Sequence, residues 1–162
     1  MEESKRNKIL LWVGGILGVL CAIAIILFGY EEKKVRVFCE EYELAKTDEF
    51  MYYIDKCGVE DISYNTECLI VQGWIYKIDD EVKEYDVRVL LMDKSQDIYY
   101  ELPTMYVLRP DVKSEEHSGF YCSASIKDIP KKINEYDLYI YYNCNDNCNL
   151  VFIGELCNET NE

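Results

Sequence analysis

The stretch that decides the fold is residues 85–91, which read Tyr85-Asp86-Val87-Arg88-Val89-Leu90-Leu91. Successive side chains of a β-strand point to opposite faces of a sheet, so alternate residues share a face. The apolar face of this stretch would consist of Tyr85, Val87, Val89 and Leu91. Asp86 and Arg88 would point the other way, and the alternation therefore predicts a strand with one face in a core.

The same alternation recurs from Tyr136 to Tyr142, where Asp137 lies opposite an apolar face. Turn residues separate eight segments of strand-like composition. They are Phe50–Lys56, Cys68–Tyr76, Tyr85–Met92, Ile98–Leu102, Met105–Leu108, Phe120–Ile126, Tyr136–Tyr142 and Leu150–Leu156. Short strands in this succession, without a long helical pattern between them, predict an all-β fold: an immunoglobulin-like antiparallel β-sandwich. A small barrel is the alternative.

Two local features are predicted to fix loops. The stretch from Ile129 to Tyr136 is similar to a tyrosine corner, in which a Tyr at the start of a late strand hydrogen-bonds to upstream backbone. Arg109 and Asp111 flank Pro110 and are expected to fix a turn through a local ion pair. Both features are interpreted as structural.

An apolar segment precedes the strands. Residues 9–30 are 22 consecutive uncharged residues, and at about 1.5 Å per residue they would cross a hydrocarbon core of roughly 30 Å. Trp12 and Tyr30 lie near its ends, where aromatic rings favour the headgroup layer. A cleaved signal peptide is the alternative, but no good cleavage site follows the segment. We therefore expect one transmembrane α-helix in the lipid bilayer, with Gly14 and Gly18 as a possible helix-dimer face.

Three basic residues lie on each side of this segment, so charge alone does not orient it. The short N-terminal tail favours an orientation with the N-terminus inside, because such a tail can stay in the cytoplasm while a long domain is exported largely regardless of its charge. The predicted organisation is a cytoplasmic tail at 1–8, a transmembrane helix at 9–30, a juxtamembrane stalk at 31–47 and an extracytoplasmic β-sandwich domain at 48–162. The predicted location is the cell membrane, with a single pass.

The chain is strongly acidic, with a formal net charge of −14. From Glu31 onward it contains 14 Lys and Arg residues against 29 Asp and Glu residues. Nucleic-acid binding needs a clustered basic face, so nucleic acid is excluded as a partner. The acidity is expected to keep the domain soluble, and a divalent cation or a basic envelope partner is the alternative explanation.

Eight cysteines are present, and seven of them follow the apolar segment. Disulfides are possible in an exported domain, although an odd number cannot all pair within one chain. Cys144 and Cys148 flank a short turn sequence and form a possible disulfide across a hairpin. With Cys157 they could instead bind zinc, but a second closely spaced pair of ligands is lacking. Unpaired thiols are the remaining alternative.

The sequence contains no recognisable catalytic group. The single histidine, His117, lies in a polar loop beside Ser118 and without a nucleophile-elbow motif. The stretches Asp79–Glu81 and Asn143–Asn149 lack the spacing of a calcium loop and suit turns. We therefore expect no catalytic residue, no cofactor and no metal.

Aromatic side chains are the remaining candidates for recognition. Several tyrosines alternate with or adjoin core positions in the predicted strands, so some of them would face away from the interior of their sheet. The possible ligand-facing aromatics are Tyr99, Tyr100, Tyr106, Tyr139 and Tyr141. Packing between the sheets is the alternative use of these rings.

Five short motifs follow one another along the predicted strands. They are Tyr53-Ile54-Asp55, Gly73-Trp74, Arg109-Pro110-Asp111-Val112, Ser118-Gly119-Phe120 and Tyr136-Asp137-Leu138-Tyr139-Ile140. In this order, from about Phe50 to Tyr142, they resemble an extracytoplasmic immunoglobulin-like β-sandwich module of Gram-positive bacterial membrane proteins. Some of those proteins are linked to surface polysaccharide assembly, so the resemblance implies a place in the cell envelope. This chain departs from the pattern in its many cysteines.

These observations predict a membrane-anchored, non-catalytic surface module that binds a cell-envelope component, such as a glycan, or another membrane protein. Two alternatives remain at this point. One is an envelope thiol or redox protein, or an enzyme, that uses an ectodomain cysteine. The other is a structural membrane subunit that pairs through Gly14 and Gly18.

Overall fold

The structure, a computed structural model, describes residues 12–25, 34–63, 66–78, 85–112 and 119–156. The chain divides into two units, Met1–Lys33 and Lys34–Glu162. In the first unit, residues 12–25 are helical and exposed. No helix within the described ranges is both long enough and apolar enough to cross a bilayer. Residues 9–11 and 26–30 of the predicted transmembrane helix lie outside the described residues.

The described part of the second unit contains ten strands. They are β1 (Arg36–Val37), β2 (Glu43–Leu44), β3 (Phe50–Ser63), β4 (Thr66–Lys77), β5 (Tyr85–Asp93), β6 (Ile98–Glu101), β7 (Thr104–Val107), β8 (Gly119–Ser125), β9 (Tyr136–Cys144) and β10 (Asn147–Glu155). Single 3-10 turns occur at Thr47–Glu49, Ile126–Asp128 and Ile133–Glu135. All eight predicted strands are present, and β3 continues beyond its predicted end at Lys56 to Ser63.

The strands form two sheets. The six-stranded sheet has the order β1-β6-β5-β9-β10-β2, and the four-stranded sheet has the order β3-β4-β8-β7. Neighbouring strands are antiparallel except for β2, which lies parallel to β10. The prediction of an all-β fold built from two largely antiparallel sheets is confirmed.

One core is shared by the two sheets. Val89 and Leu91 of β5 are buried in it, as the alternation in residues 85–91 predicts. The four-stranded sheet contributes Leu69, Val71 and Ile75 of β4 to the same cluster. Each fully buried aliphatic side chain contributes about 1.5–3 kcal/mol, so this shared core is the main stabilising element of the unit.

Residues 34–47 of the stretch predicted as a juxtamembrane stalk belong to the same compact unit as the β-sheets, and residues 31–33 lie outside the described residues. In this stretch, strand β1 pairs with β6 at one edge of the six-stranded sheet, and strand β2 pairs with β10 at the other edge. Residues 38–42, termed the crossover segment, therefore pass over the outer face of this sheet. The compact unit begins at Lys34 rather than at residue 48. Two-residue strands are too short to show a periodic pattern, which explains why the sequence did not reveal them.

The crossover segment is fastened by both apolar and charged contacts. The ring of Phe38 packs on Tyr141, with 5.1 Å between the ring centroids. Glu40 accepts hydrogen bonds from Arg88 Nη1 at 2.5 Å and from the Tyr141 hydroxyl at 3.0 Å. The hydrogen bond from Arg88 lowers the pKa of Glu40. Leu90 and Tyr141 are buried as a result, so the crossover segment shields this part of the outer face from solvent.

The predicted tyrosine corner is confirmed. The backbone N–H of Lys131 donates to the Tyr136 hydroxyl at 3.1 Å, and burial raises the pKa of Tyr136 to about 12. The Lys131 ammonium also reaches the turn after β5, at 2.5 Å from Asp93 Oδ2 and 2.6 Å from Ser95 Oγ. Its hydrogen bond to Asp93 lowers the pKa of that carboxyl to about 2. Lys131 thus joins the tyrosine corner to the β5–β6 turn.

Removal of the corner hydroxyl provides a test of this packing. We expect Tyr136→Phe to lower the free energy of unfolding by about 1–3 kcal/mol, because the Lys131 amide loses its acceptor. Urea unfolding measures the change. Tyr53→Phe is the matched control, since the Tyr53 ring is 59% exposed, and its expected change is within about 0.5 kcal/mol. An equal decrease in the free energy of unfolding in the two variants would contradict the stabilising role assigned to the tyrosine corner.

Candidate ligand-binding face

The outer face of the four-stranded sheet carries an aromatic pair. Because Val71 and Ile75 of β4 point into the core, Trp74 and Tyr76 point outward. Both are partly exposed. Their rings are stacked, with centroids 5.7 Å apart and planes within 15° of parallel. The stack therefore presents a preformed aromatic surface.

Strand β3 extends this surface. Tyr53 lies opposite Trp74, and Met51 lies opposite Tyr76. Tyr53 is 59% exposed and Met51 is 47% exposed. Met51, Tyr53, Trp74 and Tyr76 are termed the aromatic platform. The platform is thus an apolar surface in which two side chains are exposed and two are partly exposed.

The other side of the platform is bordered by Arg109. Gly119 of β8 lies opposite Trp74 and shares its face. A Cβ added to Gly119 would collide with the carbonyl oxygen of Val107 and would lie 2.5 Å from Cγ of Arg109. The aliphatic part of Arg109 therefore lies against Gly119, which explains why only glycine fits there.

Arg109 binds two carboxylates. Its Nε and Nη2 donate to Asp111 at 2.9 and 2.7 Å, and its Nη1 donates to Asp55. Asp55 lies at a β-bulge between Ile54 and Lys56 of β3. The hydrogen bonds from Arg109 lower the pKa of Asp111 to about 2. The predicted Arg109–Asp111 ion pair is confirmed, and Asp55 is an additional partner that the sequence did not predict.

The motifs quoted from the sequence converge at this place. Asp55, Trp74, Arg109 and Gly119 belong to four different motifs, and the sheet register and the Arg109 contacts bring them together at one end of the four-stranded sheet. Ser118, from the same motif as Gly119, lies outside the described residues. Their shared role in the structure is to join β3, β4 and β8 to the end of β7.

The five aromatics predicted to face a ligand do not all share one surface, although Tyr99, Tyr139 and Tyr141 belong to one cluster on the outer face of the six-stranded sheet. Tyr99 and Tyr139 form an edge-to-face pair on the outer face of the six-stranded sheet, with centroids 5.4 Å apart. Tyr141 is 1% exposed beneath the crossover segment. Tyr100 makes an edge-to-face contact with Tyr136, at 6.0 Å between centroids, and packs against the shared core. Tyr106 alone is more than half exposed, at 52%.

Tyr141 is therefore unsuited to the predicted ligand contact, and the reason is its burial by distant residues. Desolvation by burial raises the pKa of Tyr99, Tyr139 and Tyr141, as expected for rings packed on one another. The aromatic platform was not predicted from the sequence. The available signal was the alternation of Trp74 and Tyr76 with the core residues of β4.

The structure places Cys144 and Cys148 on opposite faces of the β9–β10 hairpin. Cys144 belongs to the shared core, whereas Cys148 packs beside Tyr141 on the outer face. No disulfide joins Cys144 to Cys148. Their bridge stays a prediction, and forming it requires the hairpin tip to rearrange, because disulfide-bonded side chains must point toward each other.

Several residues that were considered for catalysis or metal binding, and not predicted as sites, lie beyond the described residues. His117, Asp79–Glu81 and Cys157 are among them. Within the described ranges, no three His, Cys, Asp or Glu side chains converge in a metal-binding arrangement. On the described helix, a Cβ added to Gly14 or Gly18 meets no atom within 4 Å.

Comparison with known proteins does not assign the chain to a family. No protein-family model, no curated protein and no solved structure matches it. Function is therefore argued from the geometry of the aromatic platform and its surroundings.

The Arg109 cluster can be tested by titration. In Arg109→Met we expect the pKa of Asp111 to rise from about 2 towards 3.8, because the guanidinium donors are gone. NMR titration of the carboxyl carbons measures it. Asp93 is the internal control, since its pKa of about 2 depends on Lys131. An Asp111 pKa that stays near 2 in this variant would contradict the assignment.

The same cluster predicts a dependence of stability on pH. The pKa of Asp111 is lower in the folded state than the unfolded value of about 3.9. Its contribution is therefore full above about pH 4 and is lost as the pH falls through about 2. Urea unfolding at several pH values should show a smaller acid-induced loss of stability in Arg109→Met than in the wild type.

Proposed function

We propose that this chain is a membrane-anchored, non-catalytic module whose immunoglobulin-like β-sandwich binds a neutral cell-envelope glycan. The observation that carries the proposal is the stacked, partly exposed Trp74–Tyr76 pair on an open sheet face. A rigid aromatic surface offers a large contact area at a low cost in conformational entropy. It suits a ligand with flat apolar faces, such as the C–H faces of sugar rings.

Polar groups beside the platform support a sugar ligand. The side chains of Asp55 and Asp111 are 29% and 62% exposed, and Arg109 fixes both carboxylates. Carboxylates held in this way are hydrogen-bond acceptors for hydroxyl groups. The combination of apolar rings with a few oriented polar groups is typical of small-molecule and sugar sites.

Charge favours a neutral glycan over an acidic one. The net charge of −14 creates a field that repels anionic polymers. Arg109, the cation that borders the platform, is already bound by two carboxylates. The envelope ligand that this face fits best is therefore an uncharged polysaccharide.

The thiol alternative receives little support. A reactive cysteine needs a lowered pKa and access to solvent. Burial raises the pKa of the Cys122 thiol. Its environment is therefore the opposite of the one that redox chemistry requires.

Anchoring in the membrane is proposed on the basis of the apolar segment at residues 9–30. The described part of this segment is helical, and its Leu, Ile and Val side chains are exposed. Exposed apolar side chains around a helix suit contact with lipid. The short N-terminal tail supports an orientation with the β domain outside.

Binding can be measured through the fluorescence of Trp74. The chain contains two tryptophans, so Trp12→Phe leaves Trp74 as the only one. We expect neutral envelope polysaccharide, titrated into this variant in detergent, to change the emission of Trp74. Tyr76→Ala in the same background should weaken binding by about tenfold or more, since a stacking contact is worth about 0.5–1.5 kcal/mol beyond the area it buries.

Phe152→Ala is the matched control, because Phe152 is an exposed aromatic on the outer face of the other sheet. Its affinity should equal that of the parent variant. An equal loss of affinity in Tyr76→Ala and Phe152→Ala would contradict the proposed site. So would the absence of a change in Trp74 emission with any neutral polysaccharide.

Topology is tested by proteolysis of intact cells. A C-terminal tag on the full chain should be removed by protease added to intact cells or spheroplasts, because the β domain is proposed to lie outside. A tag on the N-terminus should be cut only after lysis and serves as the control. Protection of the C-terminal tag until lysis would reverse the orientation and exclude an external glycan as the ligand.

A further inference from the structure

Strand β3 is the long open edge of the four-stranded sheet. It spans 14 residues and, within the described part of the chain, pairs only with β4. The opposite edge, β7, has four residues, and the edges of the six-stranded sheet have two residues each. An edge strand presents unpaired backbone N–H and C=O groups, which are a template for another strand.

The regular part of this edge is short and well defined. Register shifts occur between Ile54 and Lys56 and between Asp61 and Ser63. Residues 56–61 therefore form an uninterrupted run between two bulges. Bulges protect an edge where they occur, so the run between them is the part that remains available for pairing.

Side chains of the run are accessible. Lys56, Cys57, Val59 and Glu60 are exposed, with Val59 at 45%. A Cβ added to Gly58, at the centre of the run, would meet no atom within 4 Å. The face of the sheet is therefore unobstructed at the centre of the run, so no side chain of the described residues needs to move when Gly58 is approached from that face.

The charges of the run are self-complementary. Lys56 and Glu60 lie two residues before and two residues after Gly58. If a second copy pairs antiparallel about Gly58, Lys56 lies opposite Glu60 of the other copy, and the reverse pair forms as well. Opposite charges in directly opposed cross-strand positions are stabilising.

Alternative registers within the run lack this match. When two identical strands pair antiparallel, residues that lie opposite each other must point to the same face of the sheet. The two-fold axis that relates the two copies must therefore lie at a position where a residue is opposite its own equivalent. An axis at Cys57 would place Lys56 opposite a glycine. An axis at Val59 would place Cys57 opposite Asp61, which removes the charge pairing and leaves a carboxylate beside a thiol.

When the two strands pair about Gly58, the other residues that lie opposite each other are also compatible. Cys57 lies opposite Val59 of the second copy, and both side chains are small and apolar in character. Asp61 falls at the level of Asp55 of the second copy, whose charge is compensated by Arg109. Lys56 and Glu60 now contact each other at 2.5 Å while remaining nearly half exposed, so this surface pair can be exchanged for its equivalent across the interface.

We infer that a second copy of this chain docks on β3, antiparallel and centred on Gly58, to form one continuous eight-stranded sheet. Antiparallel pairing about an axis perpendicular to the sheet keeps both aromatic platforms on the same face. Two linked sites increase the avidity for a polymeric ligand without any new contact. The inference concerns assembly and stands independently of the proposed glycan binding.

The register is tested with two differently tagged full-length chains, co-expressed and purified together in detergent. Both carry Cys21→Ser, Cys39→Ser, Cys148→Ser and Cys157→Ser. The first retains Cys57, and the second carries Cys57→Ser with Val59→Cys. Because these two positions are directly opposed, mild oxidation should link the two tags in one disulfide-bonded dimer.

Each chain expressed alone is the matched control. Its cysteines would lie diagonally across the interface, at about 7–8 Å, which is too far for a disulfide. Homodimers should therefore stay uncrosslinked. Crosslinking at equal yield in all three preparations would reflect random collision and would overturn the register. A monomeric mass for the full chain would overturn the dimer itself.

Charge reversal provides a second readout. Lys56→Glu in both chains places two carboxylates opposite each other twice across the interface and should lower the crosslinked fraction at least severalfold. Adding Glu60→Lys to both chains should restore it. An unchanged yield in Lys56→Glu would contradict the inference. Trp74→Ala should leave crosslinking intact, so a failure of the proposed glycan site and a failure of the dimer give different results.

Discussion

The rest of the structure depends on one constraint, which is that one face of each sheet is buried in a single shared core. Val89 and Leu91 from one sheet meet Leu69 and Val71 from the other, and this burial supplies the main stabilising free energy. Each sheet is then left with an outer face that the core does not cover. The two outer faces differ in how much of them the chain covers, and the proposed recognition surface rests on that difference.

On the six-stranded sheet, part of the outer face is covered by the chain itself. The crossover segment places Phe38 on Tyr141 and Glu40 on Arg88, so an aromatic cluster that could have served a ligand becomes part of the packing. On the four-stranded sheet, Trp74 and Tyr76 remain partly exposed. Arg109 instead reaches from the end of β7 to Asp55 on β3 and leaves the rings beside it open.

Much of the fold was predictable because it depends on local alternation. The eight principal strands and the corner at Tyr136 each show their pattern within fewer than ten residues. The strands β1 and β2 were not predictable, since two residues give no period and the pairing of Arg36 with Glu101 joins positions far apart in sequence.

The candidate site was predictable only in part. The Arg109–Asp111 ion pair is local and was expected, whereas the contact with Asp55 depends on the order of strands in the sheet. Tyr141 looked exposed by alternation, and its burial depends on Phe38, about a hundred residues earlier in the chain. Which rings remain exposed is therefore set by segments distant in sequence, and alternation within a single strand does not reveal them.

The central claim is that the outer face of the four-stranded sheet is the open binding surface and that the outer face of the six-stranded sheet is not. Hydroxyl-radical footprinting of the full chain, with and without neutral envelope polysaccharide, tests it most directly. The account predicts that the polysaccharide protects Tyr53, Trp74 and Tyr76 from oxidation and leaves Tyr139 and Phe152 unchanged. Protection confined to Tyr139 and Phe152, or no protection of the aromatic platform at saturating polysaccharide, would contradict it.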